Sequence, residues 1–420
     1  MIRREEGFTL VELMITMVVF VLVIAAASSI FSSLLNQFKQ QSKIIESNVE
    51  GVVGLEMMRV DVQQAGFGLP WFVETGGSED GLDPWVLDGY FEAAGADNAD
   101  RTDPSYYNDG DTASAIPAPA TQRAPRAVLA ENDAGPVLGT GYRSDYLVVK
   151  STSIGLAEAA QKWTYVTNNN GVYVTADWND ANRHEPSEEP ESTDWVITER
   201  PVIGAPQRVL VMAAPPAFST QFGPNGNSVF QPELDAETHL IYGVGTVEPR
   251  APFNRSDFFV AAPADMPAKC APNTGILYKA VMNQGDGGLQ RLPLLDCVAD
   301  MQVVFITDPD SDPATPPEWS DADFPYTGGL TAEQIRAQVT GVAVYILAQE
   351  GQRDPNFSFN NFSDCNGDGA PDANCILVGD FFDGALRGRA FDLSLIGPDF
   401  ANYRWKIYHF AVYPPNLKGQ

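Results

Sequence analysis

The stretch Gly7-Phe8-Thr9-Leu10-Val11-Glu12-Leu13 opens the run that decides the fold. From Phe8 to Phe31 the chain reads FTLVELMITMVVFVLVIAAASSIF, with Glu12 its only charge. At 1.5 Å per residue this run makes about 36 Å of helix, enough to cross a hydrocarbon core of roughly 30 Å. Arg3 and Arg4 precede it, so the positive-inside rule puts Met1 in the cytoplasm and the bulk of the chain outside. A secretory signal peptide would have a shorter apolar region ending in a small-residue cleavage site. A plain signal anchor explains the length and the arginines but leaves Glu12 without a reason. A carboxylate inside a span costs roughly 2.5–3.5 kcal/mol on insertion scales and so marks a partner or a function.

The helical pattern continues beyond the apolar run. No proline occurs before Pro70, and an apolar stripe passes through Phe31, Leu34, Leu35, Phe38, Ile45, Val49, Val52, Leu55, Met58, Val62 and Ala65. Its steps combine threes and fours, as one face of a helix requires. Val49 to Ala65 read as the part that packs on a head domain. Gly51 and Gly54 each weaken the helix by about 1 kcal/mol but permit close packing. A rod from Phe8 to Ala65 would be about 87 Å long.

After Gly66-Phe67-Gly68 the character changes. Residues 69–140 are rich in Gly, Ala, Pro and Asp without a sustained period and read as long loops or an irregular insertion. From Tyr142 short β-type runs recur, among them Tyr146–Lys150, Trp163–Thr167, Val172–Thr175, Trp195–Thr198, His239–Val244, Ile276–Ala280, Gln302–Thr307, Val342–Leu347 and Tyr403–Tyr413. Gly, Pro and Asp clusters punctuate them as in antiparallel sheets. One short helix is expected at Thr331–Gln338, capped by Thr331. The fold class is α+β: a long N-terminal helix and an elaborated, mainly antiparallel head. The expected segments are a leader at 1–7, the helix at 8–66 with its membrane-spanning part at 8–31, an irregular region at 67–141, and a β-rich head at 142–420.

Composition excludes some partners. Lys and Arg total 26 against 55 Asp and Glu, a net charge of −29 over 420 residues. Nucleic acid needs a basic surface to replace its counterions, so no nucleic-acid partner is expected. The same imbalance argues against docking of the head on anionic lipid. No G-x-S-x-G, H-E-x-x-H, P-loop or dinucleotide fingerprint is present, and His184, His239 and His409 lie far apart. The chain is therefore read as a non-enzyme.

The Gly7-Phe8-Thr9-Leu10-Val11-Glu12 junction after a short polar leader resembles the type IV prepilin signature, shared by pilins and the pseudopilins of type II secretion. The resemblance implies that a prepilin peptidase cuts between Gly7 and Phe8 on the cytoplasmic side and methylates the new Phe8 amine. The apolar helix is then retained, and Glu12 becomes the fifth mature residue, facing the N-terminal amine of a neighbouring subunit during assembly. Met58-Arg59-Val60-Asp61-Val62-Gln63-Gln64-Ala65-Gly66-Phe67, Tyr142–Leu147, Val339–Gln349 and Tyr403-Arg404-Trp405 resemble the PilW-like minor pilins. The related J-type pseudopilins of type II secretion are the alternative, and a pilin-anchored calcium-dependent adhesin or enzyme is a further one. The resemblance implies other minor and major pilins and an inner-membrane assembly platform as partners. It also implies a single-pass inner-membrane state with a periplasmic head, followed by an extracellular pilus.

One local motif carries its own chemistry. Asp364-Cys365-Asn366-Gly367-Asp368-Gly369-Ala370-Pro371-Asp372 fits the front half of a calcium loop. Asp364, Asn366 and Asp368 alternate, Gly369 permits the turn, Ala370 offers a carbonyl and Asp372 takes the ninth position. It resembles the short calcium loops of dockerin and thrombospondin type 3 repeats. The twelfth position is Cys375 instead of a bidentate glutamate, so a last carboxylate would come from Asp380 or Asp383. Ca²⁺ is the expected cofactor, and Asp308-Pro309-Asp310-Ser311-Asp312 is read as an ordinary loop. Outside the inner membrane disulfides persist, and proximity favours Cys365–Cys375 with Cys270–Cys297 among the three possible connectivities. Zinc is disfavoured because no Cys-x-x-Cys or spaced histidine accompanies these cysteines.

Overall fold

The computed structural model describes residues 9–73, 92–95, 101–109, 124–139, 141–175, 190–202, 208–212, 217–223, 230–310, 315–323, 329–382 and 384–417. The apolar run and the stripe beyond it form one helix, α1 (Leu10–Gln63), 54 residues long. It stops where Gly66 (φ +81°) and Gly68 (φ +62°) take left-handed backbone, a conformation that costs other residues a Cβ clash. Gly66 N–H then bonds to the Lys150 carbonyl at 3.0 Å, and Thr152 N–H to the Phe67 carbonyl at 2.9 Å. The chain thus leaves the helix already tied to the head.

The head contains two main sheets. The larger has eight strands and runs from edge to edge as Arg404–Val412, Val339–Glu350, Leu289–Thr307, Gly275–Met282, Asn254–Ala261, Tyr146–Ser151 and Val128–Glu131, with Glu318–Asp321 pairing beside Leu289–Thr307. All its pairs are antiparallel. The smaller has seven strands, ordered Phe72–Val73, Arg208–Leu210, Trp195–Pro201, Thr238–Gly245, Trp163–Asn169 and Val172–Thr175, with Ser219–Gln221 beside Trp195–Pro201. Its Phe72–Val73 strand pairs in parallel with Arg208–Leu210.

Ser151 and Asn254 are cross-strand partners in the larger sheet. Residues 152–253, which contain six of the seven strands of the smaller sheet, therefore sit where a hairpin turn would be. Asn254 closes the neck of this insertion by donating its side-chain amide to the carbonyls of Thr152 at 2.7 Å and Val244 at 3.0 Å. The two sheets nevertheless share one core, which includes Met58, Val62 and Leu69 from the helix end, Tyr242 and Leu210 from the insertion, and Phe258 and Val344 from the larger sheet.

The seam departs from the expected apolar stripe. Val49 and Val52 are exposed, at 59% and 64%, whereas Gly51, Gly54, Leu55, Met58, Val62 and Ala65 are buried. Glycines line this seam because strand and helix approach too closely there for larger residues. Within the expected irregular region 67–141, Val128–Glu131 pairs with Tyr146–Ser151, and Tyr107 and Leu129 are fully buried. Finally, Cys375–Phe382 and Ala385–Asp392 form a two-stranded hairpin that the sequence reading did not contain. It packs Ile376, Val378 and Phe391 against Tyr345, Leu347 and Trp405 of the larger sheet. The short helix α2 (Ala332–Gln338) forms as expected, with Thr331 and Gln334 capping each other's backbone N–H.

Candidate functional site

The helix packs on the head only over its C-terminal part. A Cβ on Gly351 would lie 2.9 Å from Ile44, and one on Gly51 would lie 3.3 Å from the Tyr408 ring. Asp61 meets Lys279 of the Gly275–Met282 strand at 2.6 Å. Burial raises the Asp61 carboxyl above its ordinary range, and the Lys279 charge opposes that rise. Ahead of Ile44 the helix projects from the head. Within it, Leu10–Ser32 is a 23-residue segment of mean hydropathy 2.7, none of it buried.

Such a surface has no stable place in water. Leu13, Val18, Leu22 and Ile30 are more than half exposed, and each apolar side chain left in water forgoes about 1.5–3 kcal/mol of burial. The exposure extends past the span through Leu34, Phe38, Ile45, Val49, Val53 and Met57. Such a face calls for an apolar surrounding.

Glu12 sits at the start of this face, in the first turn of α1. Its Oε2 accepts hydrogen bonds from Thr9 N–H and Thr9 Oγ1, both at 3.0 Å, while Thr9 Oγ1 accepts the Glu12 N–H at 3.3 Å. This is a capping box, and its Thr-x-x-Glu spacing was legible in the sequence. Glu12 thus fastens the helix N-terminus of its own chain. Gly7 and Phe8, the expected processing junction, lie outside the described residues.

Both disulfides join the expected partners: Cys270–Cys297 and Cys365–Cys375. The second closes the Asp364–Asp372 loop, where Gly367 and Gly369 take positive φ. The side chains of that loop serve its own backbone. Asp364 accepts the N–H groups of Gly367 and Gly369, each at 2.7 Å, and Asp368 accepts that of Ala370 at 2.9 Å. Asp372 accepts those of Cys365 at 2.9 Å and Asn366 at 3.1 Å. These backbone donors, Gly369 foremost, hold the Asp364 carboxyl below its ordinary range. Asp380 faces the Phe381 N–H at 2.8 Å, and Asp383 lies outside the described residues. Among the described residues, no three His, Cys, Asp or Glu side chains gather as ligands of one metal would.

Comparison with known proteins bears on the N-terminus. Residues 2–28 match the family described as the prokaryotic N-terminal methylation motif. The N-terminus therefore carries a prepilin-type methylation motif. A type IV-like pilin from Thermus thermophilus is 16% identical over 39% of this chain and 69% of its own, with a TM-score of 0.19. No curated protein matches the chain. The matched motif covers the expected junction, Thr9, Glu12 and most of the Leu10–Ser32 span.

Proposed function

We propose that the protein is a minor pilin of a type IV pilus, PilW-like, which helps to initiate filament assembly. The observation that carries this reading is the 23-residue apolar span with none of its surface buried, continuous with a prepilin-type motif. Before assembly the span lies in the inner membrane with the head in the periplasm. After cleavage at Gly7-Phe8 by a prepilin peptidase, the same helix leaves lipid and packs among the helices of other minor and major pilins. Glu12 then meets the Phe8 amine of a neighbour, a pair that matters most where water is excluded. Pili sheared from cells should contain the protein at low stoichiometry, and deleting it should reduce surface pili. Intact piliation with loss of protein secretion would move the subunit to a type II pseudopilus.

The Asp364–Asp372 loop is proposed as a Ca²⁺ site on its residue spacing alone. Its turn has the glycines that spacing requires, but Asp364, Asp368 and Asp372 now face backbone N–H groups.

A further inference from the structure

Behind the Tyr146–Ser151 and Asn254–Ala261 strands lies a group of charges wholly removed from solvent. Lys150, Arg126 and Arg255 face Glu92, Asp109 and Asp257, and all six side chains are 0% exposed. Lys150 Nζ lies 2.7 Å from Asp109 Oδ2 and 2.8 Å from Glu92 Oε2. Arg126 Nε lies 2.5 Å from Asp109 Oδ1. The Phe253 ring centroid is 5.5 Å from Lys150 Nζ, and the Tyr107 and Tyr146 rings stack at 4.6 Å nearby. An amine, a carboxyl carbon, a second carboxylate and a cationic donor are therefore held together in a dry site.

We propose that Lys150 and Asp109 condense into an intramolecular isopeptide bond, with Glu92 as the proton carrier. One Nζ proton passes to Asp109 Oδ2, leaving an amine beside a carboxylic acid, a neutral pair that burial makes less costly to form than it is in water. The Nζ lone pair attacks Asp109 Cγ, and the negative charge that develops on Oδ1 falls on the Arg126 Nε–H already aimed at it. Glu92 takes a second Nζ proton and returns it to the departing Oδ2. The Cγ–Oδ2 bond breaks, water leaves and an amide remains. No oxidant or cofactor is needed.

Charge supports the product. Closure removes one cation and one anion, leaving Arg126 and Arg255 opposite Glu92 and Asp257, again balanced. The amide oxygen keeps its donor in Arg126 Nε. Burial pushes the Asp109 carboxyl up, but Arg126 and Lys150 together hold it below the ordinary range. The reactive tautomer is thus the minor one, and closure follows folding slowly. The bond would staple residues 104–109 to the strand that carries Lys150, a covalent tie suited to a subunit that bears tension.

The test is mass spectrometry of the full chain in detergent, reduced, after overnight incubation at growth temperature. The expected result is a species lighter by one water and a branched peptide joining Lys150 to Asp109. Lys150→Arg should restore the full mass, and Glu92→Gln should slow closure at least tenfold while circular dichroism stays native. Separate, unlinked Lys150 and Asp109 peptides from the wild-type protein would overturn the proposal. So would a water loss that persists in Lys150→Arg, since that would arise by cyclisation of an aspartate elsewhere. The wild-type digest decides the matter even if a variant fails to fold.

Discussion

Gly54 of the helix lies directly against the carbonyl of Leu294: a Cβ placed on Gly54 would stand 2.0 Å from that oxygen. The helix and the Leu289–Thr307 strand therefore touch backbone to backbone, and the position of the whole projecting rod depends on it. Gly54→Ala gains about 1 kcal/mol of helix propensity but forces the helix off the sheet, an overpacking cost of about 1–3 kcal/mol. The net outcome should be a lower Tm of the detergent-solubilised protein. Val52→Ala, on the exposed face, should change stability by no more than about 0.5 kcal/mol and leave Tm near wild type. Equal effects at the two positions would contradict this seam.

Glu12 has two separable roles, one in its own capping box and one as a charge. Glutamine serves the box as well as glutamate does. Glu12→Gln should therefore keep the helix N-terminus and the head intact yet lower incorporation into pili. Glu12→Ala should lose both functions. Wild-type incorporation of Glu12→Gln, measured in sheared filaments, would leave the carboxylate with capping alone.

The helix was legible because hydropathy and the three-four spacing agree over many turns, and strands such as Val342–Leu347 were legible from their β-branched runs. The Glu318–Asp321 and Ser219–Gln221 strands were not, because short polar stretches look like loops until a neighbour pairs with them. Pro293 and the left-handed Cys297 (φ +57°) concealed the first half of the 19-residue Leu289–Thr307 strand. The buried Lys150, Asp109, Arg126 and Arg255 group was invisible for a different reason. Charged residues read as surface, and only the tertiary fold brings Arg255 to Glu92 across 163 positions.

Two of the buried carboxylates, Glu199 and Asp300, contribute a pH dependence to the head. Burial pushes Glu199 up to about 7, against the opposing charges of Arg208 and Arg336. It pushes Asp300 up to about 8, although Ser144 and Gln302 donate to it. Between an unfolded value of about 4 and these folded values, the folded chain holds protons that the unfolded chain has lost. The stability these two groups contribute is thus fully present at acid pH and declines as pH rises from about 4 to about 8. Urea unfolding at pH 5 and pH 8 should differ by on the order of a few kcal/mol, with the lower pH more stable. Glu199→Gln and Asp300→Asn should each flatten the profile. A stability that rises over this range would contradict the buried neutral forms.

Calcium tests the Asp364–Asp372 loop. Binding to the folded state alone stabilises by about 2.7 kcal/mol at a hundredfold excess over Kd, and extracellular sites bind at roughly 10⁻⁴–10⁻³ M. Millimolar Ca²⁺ should raise Tm by part of that amount, and Asp364→Ala with Asp368→Ala should abolish the shift. Mg²⁺ at equal ionic strength controls for screening of the −29 charge. An equal shift with Mg²⁺ would reduce the loop to a disulfide-closed turn.

The central claim is that the apolar helix is a processed and retained assembly surface, and the mass of the mature N-terminus tests it most directly. Protein isolated from pili or inner membrane should begin with N-methylated Phe8. Gly7→Ala should slow that cleavage, and a larger residue at position 7 should block it. An intact Met1, or cleavage after Ala27 with loss of the span, would contradict the account.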